Sequence, residues 1–310
     1  MASGMLEGKV VVISGSGRGI GRAGAVIMAA RGAKVVVNDV GAGLSDQNTD
    51  RSPAQETVDF IKQNGGEAVA NYDSVSGWDS AHRIVQCALD TYGRIDGVVN
   101  NAGILRDRMF HNMSEEEFDA VMQVHLYGSF NLSRAAVPHF RKQESGAFVF
   151  VSSTSGLFGN MGQANYGAAK MGLVGMCNVL TLELKRYNIR SNVLAPGANT
   201  RMTQSVPAGL RGGDEANKRR LAALPPESPG SMMAFLVSDA AKDVHGQIFG
   251  ARGSDMMLFN HPRPLRYLHR DGGWSPESLA EALPAFDGLY TKMASGKGVI
   301  PWDPPTIVPE

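Results

Sequence analysis

The chain has few cysteines, no excess of charge of either sign and no long apolar run. Its two cysteines, Cys87 and Cys177, cannot form a disulfide framework and do not stand at metal-ligand spacing. Thirty basic residues balance thirty acidic ones, so no overall field attracts nucleic acid or an anionic membrane. Residues 1–8 contain no basic stretch, and no run approaches the ~20 apolar residues of a membrane span. These absences predict a cytoplasmic protein that holds no metal ion and binds neither nucleic acid nor a membrane.

Glycine, by contrast, is abundant: the 310 residues include 37 glycines, well above the ~7% of an average protein. The glycines separate β-branched apolar runs, such as Lys9–Ile13 and Lys34–Asn38, from segments with helical spacing, such as Ile20–Arg31. Apolar runs without polar alternation are typical of strands buried on both faces of a parallel sheet. The alternation predicts an α/β fold, a Rossmann-type doubly wound parallel sheet of about seven strands with helices on both faces. Further strands are predicted at Glu67–Tyr72, Asp96–Asn100, Ala147–Val151, Ile189–Leu194 and Gly246–Phe249. Further helices are predicted at Pro53–Asn64, Gly77–Tyr92, Glu115–Lys142 with an internal turn, Ala164–Tyr187 and Ser231–Val237.

The sequence predicts two parts, a core over residues 1–258 and a C-terminal extension over 259–310. Within the core, the segment near 200–230 is rich in glycine, proline and charge with weak periodicity, which favours a substrate lid. The extension is rich in proline, histidine and arginine, and its segment Pro301–Pro305 cannot be helix or inner strand. Its aromatic side chains could cover a neighbouring subunit's cleft or pack on their own surface; they are Trp274, Tyr290 and Trp302.

A glycine-rich loop joins the first predicted strand to the first predicted helix. Gly15, Gly19 and Gly21 have the spacing G-x-x-x-G-x-G, where backbone N–H groups and the helix dipole can meet a pyrophosphate. Asp39 ends the second strand, and a carboxylate there can accept hydrogen bonds from an adenosine ribose and repel the extra phosphate of NADP. Asp39 could instead merely cap a turn, and Arg18 in the loop could attract that phosphate. On balance the residues favour NAD.

A tyrosine and a lysine, Tyr166 and Lys170, stand four residues apart on a predicted helix. They share one helix face, where the ammonium can favour the phenolate over the phenol. The same spacing also occurs in many helices as a surface pair. Ser153 stands 13 residues before the tyrosine and just past a predicted strand, so its hydroxyl is expected at the carboxyl end of the sheet, where ligands bind. Three rival hydroxyls surround it: Ser152, Thr154 and Ser155.

Taken together, these motifs resemble the short-chain dehydrogenase/reductase family over about residues 6–258. The segments that carry the resemblance are SGSGRGIG at Ser14–Gly21, NNAG at Asn100–Gly103, Ser153, YGAAK at Tyr166–Lys170, and Pro196–Gly197. The resemblance implies that Tyr166 is the acid/base, that Lys170 binds the nicotinamide ribose and lowers the Tyr166 pKa, and that Ser153 hydrogen-bonds the substrate carbonyl. It implies cofactor contacts from Gly15, Arg18, Gly19, Ile20 and Gly21 at the pyrophosphate, Asp39 at the ribose, Asp73 and Ser74 at the adenine, Asn100, Ala102 and Gly103 towards the nicotinamide ribose, and Pro196, Gly197 and Thr200 beside the carboxamide.

The sequence departs from the family pattern at two places. Where the family commonly has asparagine, 41 residues before the tyrosine, this chain has His125. Its imidazole could relay protons, because its pKa lies near neutrality, or it could be a packed residue whose backbone carbonyl alone matters. The stretch after Gly197 is also one residue short, which makes the contact expected of Thr200 less secure.

Within the family, several segments are similar to the (3R)-hydroxyacyl-CoA dehydrogenase part of peroxisomal multifunctional enzyme type 2 and to related bacterial enzymes, some regarded as 17β-hydroxysteroid dehydrogenases. These segments are Val37–Asp39, Ala68–Val75, Ile104–Arg108, Val124–Leu126 and Gly162–Tyr166. The resemblance implies NAD-dependent interconversion of a 3-hydroxyacyl-CoA and its 3-oxoacyl-CoA, as in fatty-acid or sterol side-chain β-oxidation. The alternatives are a 17β-hydroxysteroid dehydrogenase, a 3-oxoacyl-carrier-protein reductase and a non-catalytic NAD-binding scaffold, which would need no activated phenol.

The partners expected from this resemblance are an acyl-CoA or steroid substrate and further copies of the chain. The phosphates of CoA would need cations, for which Arg106, Arg108 and Lys218–Arg220 are candidates, although each could simply be solvated surface charge. The two long predicted helices, Glu115–Lys142 and Ala164–Tyr187, are rich in small and apolar residues, and the resemblance implies a homodimer or a homotetramer. The sequence does not choose between these two states.

Overall fold

The computed structural model of the protein describes residues 4–41, 51–199 and 223–291. The chain divides into two compact units, Met1–Phe259 and Asn260–Glu310. Most of the segment predicted to be a lid lies outside the described residues, as do Thr200, Lys218–Arg220 and Trp302.

The first unit is built on one eight-stranded sheet with the order β3-β2-β1-β4-β5-β6-β7-β8. Every neighbouring pair is parallel except β7 and β8, which are antiparallel. The seven parallel strands confirm the predicted Rossmann-type sheet, whereas β8 was not predicted. The strands are β1 Val10–Ser14, β2 Lys34–Asn38, β3 Glu67–Asn71, β4 Gly97–Asn100, β5 Gly146–Val151, β6 Ile189–Gly197, β7 Ile248–Arg252 and β8 Asp255–Phe259.

Helices cover both faces of the sheet, as predicted. Along β1 the side chains alternate between two cores: Val11 and Ile13 pack with residues of α1, α2 and α8, while Val10 and Val12 pack with residues of α3, α5 and α7. This alternation follows from the period of two residues along a strand. The helices are α1 Gly19–Ala29, α2 Ser52–Gln63, α3 Trp78–Tyr92, α4 Glu115–Met122, α5 Gly128–Gln143, α6 Thr154–Phe158, α7 Ala164–Leu184, α8 Glu227–Val237 and, in the second unit, α9 Pro276–Ala282.

The long helix predicted over Glu115–Lys142 is interrupted by a π-helical turn at Gln123–Tyr127, between α4 and α5. The start of α4 is well defined, because Ser114 and Glu117 form a reciprocal capping box. The Ser114 Oγ accepts the Glu117 N–H at 3.2 Å, and a Glu117 carboxylate oxygen accepts the Ser114 N–H at 3.0 Å. The π turn carries His125, and such turns are frequent at functional sites.

The second unit is small. Its helix α9 begins at a capping box between Ser275 and Ser278 and is followed by a 3₁₀ turn at Leu283–Phe286. Trp274 and Tyr290 are exposed, and the guanidinium of Arg270 lies 5.8 Å from the centre of the Trp274 ring. Across both units, the helices in the described part of the chain are all too short or too polar to cross a bilayer.

Candidate active site

A cavity of about 650 Å³ opens where the parallel strands of the sheet end. Within the described residues it collects most of the predicted site: Gly15, Arg18, Gly19, Ile20, Asp39, Ser74, Ala102, Gly103, His125, Ser153, Tyr166, Lys170, Pro196 and Gly197 all line it. Three other predicted site residues in the described part of the chain do not line it: Gly21, Asp73 and Asn100. Ligands of open α/β sheets bind outside the carboxyl ends of the strands, and the cavity lies at this place.

The glycine loop between β1 and α1 is shaped so that side chains do not fit. Gly15 has φ +64°, and a Cβ atom on it would stand 2.8 Å from the Cα of Ala102. A Cβ on Gly21 would overlap the carbonyl oxygen of Gly15, so Gly21 permits the close turn although it does not line the cavity itself. Bare backbone beside a helix N-terminus suits a pyrophosphate, so this loop fits a dinucleotide cofactor.

Asn101 holds this loop against the end of β4. Its side-chain amide donates to the carbonyl oxygens of Ser14 at 3.0 Å and Gly15 at 2.9 Å, and its own N–H donates to the Ser14 hydroxyl. This role of Asn101 was not predicted, whereas Asn100 was predicted to lie near the nicotinamide ribose. That side chain is buried and instead donates to the hydroxyl of Ser133 at 2.9 Å.

Asp39 connects the end of β2 to the glycine loop. One carboxylate oxygen accepts the Gly17 N–H at 2.9 Å, and the other accepts the Gly41 N–H at 2.8 Å. The turn-capping alternative is therefore realised in the structure. It does not exclude a ribose contact, because the carboxylate also lines the cavity and its two oxygens can accept further hydrogen bonds.

The two residues expected near the adenine lie in different surroundings. Ser74 lines the cavity together with Val75. Asp73 does not line it, and its carboxylate is paired with the guanidinium of Arg83 at 2.6 Å and bonded to the side-chain amide of Asn71 at 3.1 Å. In the structure the side chain of Asp73 therefore serves as a structural anchor.

Ser153, Tyr166 and Lys170 meet at one wall of the cavity. The Ser153 hydroxyl is hydrogen-bonded to the Tyr166 phenol, and the Lys170 Nζ lies 5.5 Å from the centre of the tyrosine ring. The lysine is buried and donates to the Val151 carbonyl oxygen at 2.6 Å. Of the rival hydroxyls, Ser152 donates to the Lys170 carbonyl oxygen at 2.7 Å. Its role is therefore to fix α7 against β5.

Burial controls the ionisation of this group. Burial raises the pKa of Tyr166 to about 12. The hydrogen bond with Ser153 lowers this pKa in part, and the negative charge of Asp107 raises it further. Burial also lowers the pKa of Lys170 from 10.5 to about 7. The expected lowering of the Tyr166 pKa is therefore not found, because removal from water disfavours both charged forms.

His125 is packed and uncharged. Its Nε2 lies 2.8 Å from the carbonyl oxygen of Ile104 and 3.1 Å from the Ile104 N–H, and its ring stands edge-on to that of Tyr166 at 5.1 Å between centres. Burial, followed by the charge of Lys170, holds the imidazole pKa well below its usual value. The buried Nδ1 has no hydrogen-bond partner within the described residues. These features favour the packing role over proton relay at neutral pH.

Comparison with known proteins agrees with this geometry. A family model described as short chain dehydrogenase matches residues 9–210, more than half of the chain and the whole range of the predicted site. The chain belongs to the short-chain dehydrogenase/reductase family. It is therefore an oxidoreductase of that family, and the Rossmann-type sheet is the family's fold.

Short-chain dehydrogenase/reductase relatives extend the match. Peroxisomal multifunctional enzyme type 2 of Mus musculus is 50% identical over 200 residues, which are 64% of this chain and 27% of the mouse protein. The chain thus spans about a quarter of the length of that relative. Hydroxyacyl-CoA dehydrogenase ChsB1 of Mycobacterium tuberculosis is 39% identical over 291 residues, 90% of this chain and 88% of the relative. A crystal structure of a short chain dehydrogenase from Mycobacterium avium superposes with a TM-score of 0.82 at 38% identity, covering 95% of this chain and 100% of that one.

Two arginines predicted to meet CoA phosphates lie in the segment that follows β4. Arg108 is paired with Glu117 of α4 at 2.9 Å, and both side chains are at least partly exposed. Arg106 offers its backbone carbonyl to a buried asparagine, Asn165. A role for these two cations in binding the substrate stays a prediction.

Proposed function

We propose that this protein is a cytoplasmic, NAD-dependent oxidoreductase that interconverts a 3-hydroxyacyl-CoA and its 3-oxoacyl-CoA. The observation that carries the proposal is the meeting of Ser153, Tyr166 and Lys170 at one wall of a cavity that the glycine loop and Asp39 also line. A scaffold that only bound a dinucleotide would need the loop and the carboxylate but no half-buried phenol bonded to a serine.

Tyr166 is the residue that would hold and move the proton. A bound nicotinamide cofactor supplies the hydride acceptor or donor for this chemistry. With its pKa raised to about 12, Tyr166 carries its proton at neutral pH and can donate it at the phenol oxygen to a substrate carbonyl oxygen. Ser153, already bonded to the phenol, would orient the same substrate oxygen. In the oxidation direction the proton returns to Tyr166, and a charged Lys170 nearby favours the phenolate that must accept it.

The preference for NAD rests on Asp39. The carboxylate lines the cavity and is fixed by the N–H groups of Gly17 and Gly41, so it cannot turn away without losing both bonds. A 2′-phosphate at the adenosine ribose would bring a further negative charge beside it, which is unfavourable in a partly buried site. Arg18, which also lines the cavity, is the group that would have to offset this repulsion.

The substrate class rests on the relatives. Hydroxyacyl-CoA dehydrogenase ChsB1 and peroxisomal multifunctional enzyme type 2 are similar to this chain at 39% and 50% identity. The name of the first supports an acyl-CoA thioester over a free steroid. The cavity lining includes the apolar side chains of Ile104, Leu105 and Val151, which suit the aliphatic part of an acyl chain.

The proposal is tested by comparing kcat/KM for four substrates, a 3-hydroxyacyl-CoA, a sterol side-chain CoA thioester, a 3-hydroxyacyl thioester of acyl-carrier protein and a free 17-hydroxysteroid, each with NAD and NADP. We expect the CoA thioesters with NAD to be oxidised most efficiently. A higher kcat/KM for the free steroid would show that the protein is a hydroxysteroid dehydrogenase. A higher kcat/KM for an acyl-carrier-protein thioester would show that it is a 3-oxoacyl-carrier-protein reductase.

We also propose that the protein forms a homodimer or a homotetramer through α5 and α7. Four large apolar side chains on these helices are exposed: Phe130 by 45%, Met171 by 40%, Val179 by 52% and Leu182 by 83%. Burial of these side chains against a second copy of the chain would remove apolar surface from water. Sedimentation velocity of the full chain measures the state directly, and a monomer at micromolar concentration would contradict the proposal.

A further inference from the structure

The side chain of Asn165, one residue before Tyr166, joins the start of α7 to two other segments. It is fully buried. Its Nδ2 donates to the carbonyl oxygens of Arg106 at 2.9 Å and Glu117 at 3.0 Å, and its Oδ1 accepts the Tyr166 N–H at 2.7 Å. Both amide hydrogens and one acceptor site of the oxygen are therefore used, in a place closed to water.

These contacts act on the position of Tyr166. The tyrosine lies in the first turn of α7, where backbone N–H groups have no partner within the helix. Asn165 satisfies one of them. At the same time it ties this turn to the segment after β4, in which Ile104 and Leu105 line the cavity, and to the first turn of α4.

We propose that Asn165 is a positioning residue for proton transfer at Tyr166. It fixes the position of the Tyr166 phenol relative to Ser153 and to the cavity wall formed by the segment after β4. The proposal rests on the proposed role of Tyr166 as the acid/base. Asn165 does not line the cavity, so it acts through Tyr166 and the neighbouring backbone and not by touching the substrate.

Two weaker contacts join the same segments. The Gln163 amide donates to the Asp107 carboxylate at 2.8 Å, and the Arg108 N–H donates to the Gly162 carbonyl oxygen at 2.8 Å. Asp107 and Arg108 are exposed, so water can compete for these bonds. Loss of the Asn165 side chain should therefore leave the segments assembled but displaced, because the buried contacts that set their spacing are gone.

Two substitutions separate the functions of the side chain. Asn165→Ala removes every contact, whereas Asn165→Asp keeps the shape and the acceptor for the Tyr166 N–H but replaces both donors. We expect kcat to fall about 10- to 100-fold in both variants, with the KM for the acyl substrate and the Kd for NADH unchanged. The primary deuterium isotope effect on kcat, with substrate deuterated at C3, should rise because the chemical step becomes rate-limiting. A purely structural role would not move it.

Asn192 provides the matched control. It is a buried asparagine on β6 whose amide donates to the Val244 carbonyl oxygen at 2.8 Å and whose oxygen accepts the Gln247 N–H at 2.9 Å. Asn192→Ala thus removes the same kind of bridge away from Tyr166. We expect a loss of thermal stability similar to that of Asn165→Ala, with kcat and the isotope effect of the wild type.

Wild-type kcat in both Asn165 variants would overturn the proposal. So would a loss of NADH binding together with kcat, or an equal loss of kcat in Asn192→Ala, because the side chain would then serve the fold alone. Tyr166→Phe, measured alongside, separates this proposal from the one on which it rests. An active Tyr166→Phe enzyme overturns the acid/base role itself, whereas an inactive one beside active Asn165 variants overturns only the positioning role.

Discussion

Replacing Gly103 by alanine adds one methyl group where the structure leaves no room for it. The new Cβ would overlap the imidazole of His125. That ring cannot move freely, because it is buried, bonded through Nε2 to the backbone of Ile104 and in edge-on contact with the ring of Tyr166. The methyl group would therefore displace the His125 ring, which is in contact with Tyr166, the proposed proton donor.

The size of the effect follows from these contacts. Overpacking of a buried site costs about 1–3 kcal/mol. Displacement of the ring also breaks its hydrogen bond to Ile104, which adds about 1 kcal/mol. We therefore expect Gly103→Ala to lower the free energy of unfolding by about 2–4 kcal/mol. A shift of the phenol by a fraction of an ångström should lower kcat about tenfold or more.

Urea unfolding and steady-state kinetics of Gly103→Ala, His125→Ala and the double variant test this reasoning. His125→Ala removes the ring that the new methyl group would overlap. Gly103→Ala should therefore cost little stability in a protein that already carries His125→Ala. The coupling free energy between the two sites should therefore be about 1–3 kcal/mol. If Gly103→Ala lowers the free energy of unfolding equally with and without the imidazole, the argument is refuted, and His125 does not restrict the space at Gly103.

Three further predictions concern ionisable groups of the site. Tyr166→Phe should lower kcat by about 100- to 10,000-fold while NADH binding, followed by fluorescence, is retained; substantial turnover would contradict the acid/base role. Asp39→Asn removes the charge expected to repel a 2′-phosphate, so the ratio of kcat/KM for NAD over NADP should fall about tenfold or more, and an unchanged ratio would dismiss Asp39 as the selector. Because the pKa of Lys170 falls from 10.5 to about 7 on folding, the unfolded state binds more protons between these values, and stability should rise with pH across this window. Urea unfolding at a series of pH values should show that Lys170→Met lacks this rise, and an equal rise in both proteins would refute the lowered pKa.

Most of the fold could be predicted from the sequence because its parallel strands are buried on both faces. Val35–Val37 is an uninterrupted apolar run at the centre of Lys34–Asn38, and the observed strand has the predicted bounds. Strand β8 escaped prediction because it is an edge strand whose apolar residues face outward: Met256 is 71% and Leu258 65% exposed. A signal was present, since Gly253 has a positive φ in the two-residue turn that joins β7 to β8, and Gly-Ser is a hairpin dipeptide.

Backbone position at the site was easier to predict than side-chain direction. Motif spacing located the ends of β4 and β5 correctly, but successive side chains along a strand point to opposite faces. This is why Asn100 turns to Ser133 while its neighbour Asn101 holds the glycine loop. The role of Asn165 had no spacing signal, because its partners are backbone carbonyls whose position only the folded chain defines.

The ionisation of the site was misjudged for a physical reason. Sequence reasoning weighed the attraction between an ammonium and a phenolate but not the loss of water around both. In the structure burial dominates and shifts both Tyr166 and Lys170 towards their uncharged forms. A phenolate on Tyr166 becomes favourable only together with a charged Lys170, since each charge then offsets the burial of the other. The lysine can carry that charge because its Nζ is held by the Val151 carbonyl oxygen at 2.6 Å. Carbonyl reduction, for which the proposed proton donor Tyr166 must carry its proton, is therefore the direction for which the site is ready at neutral pH.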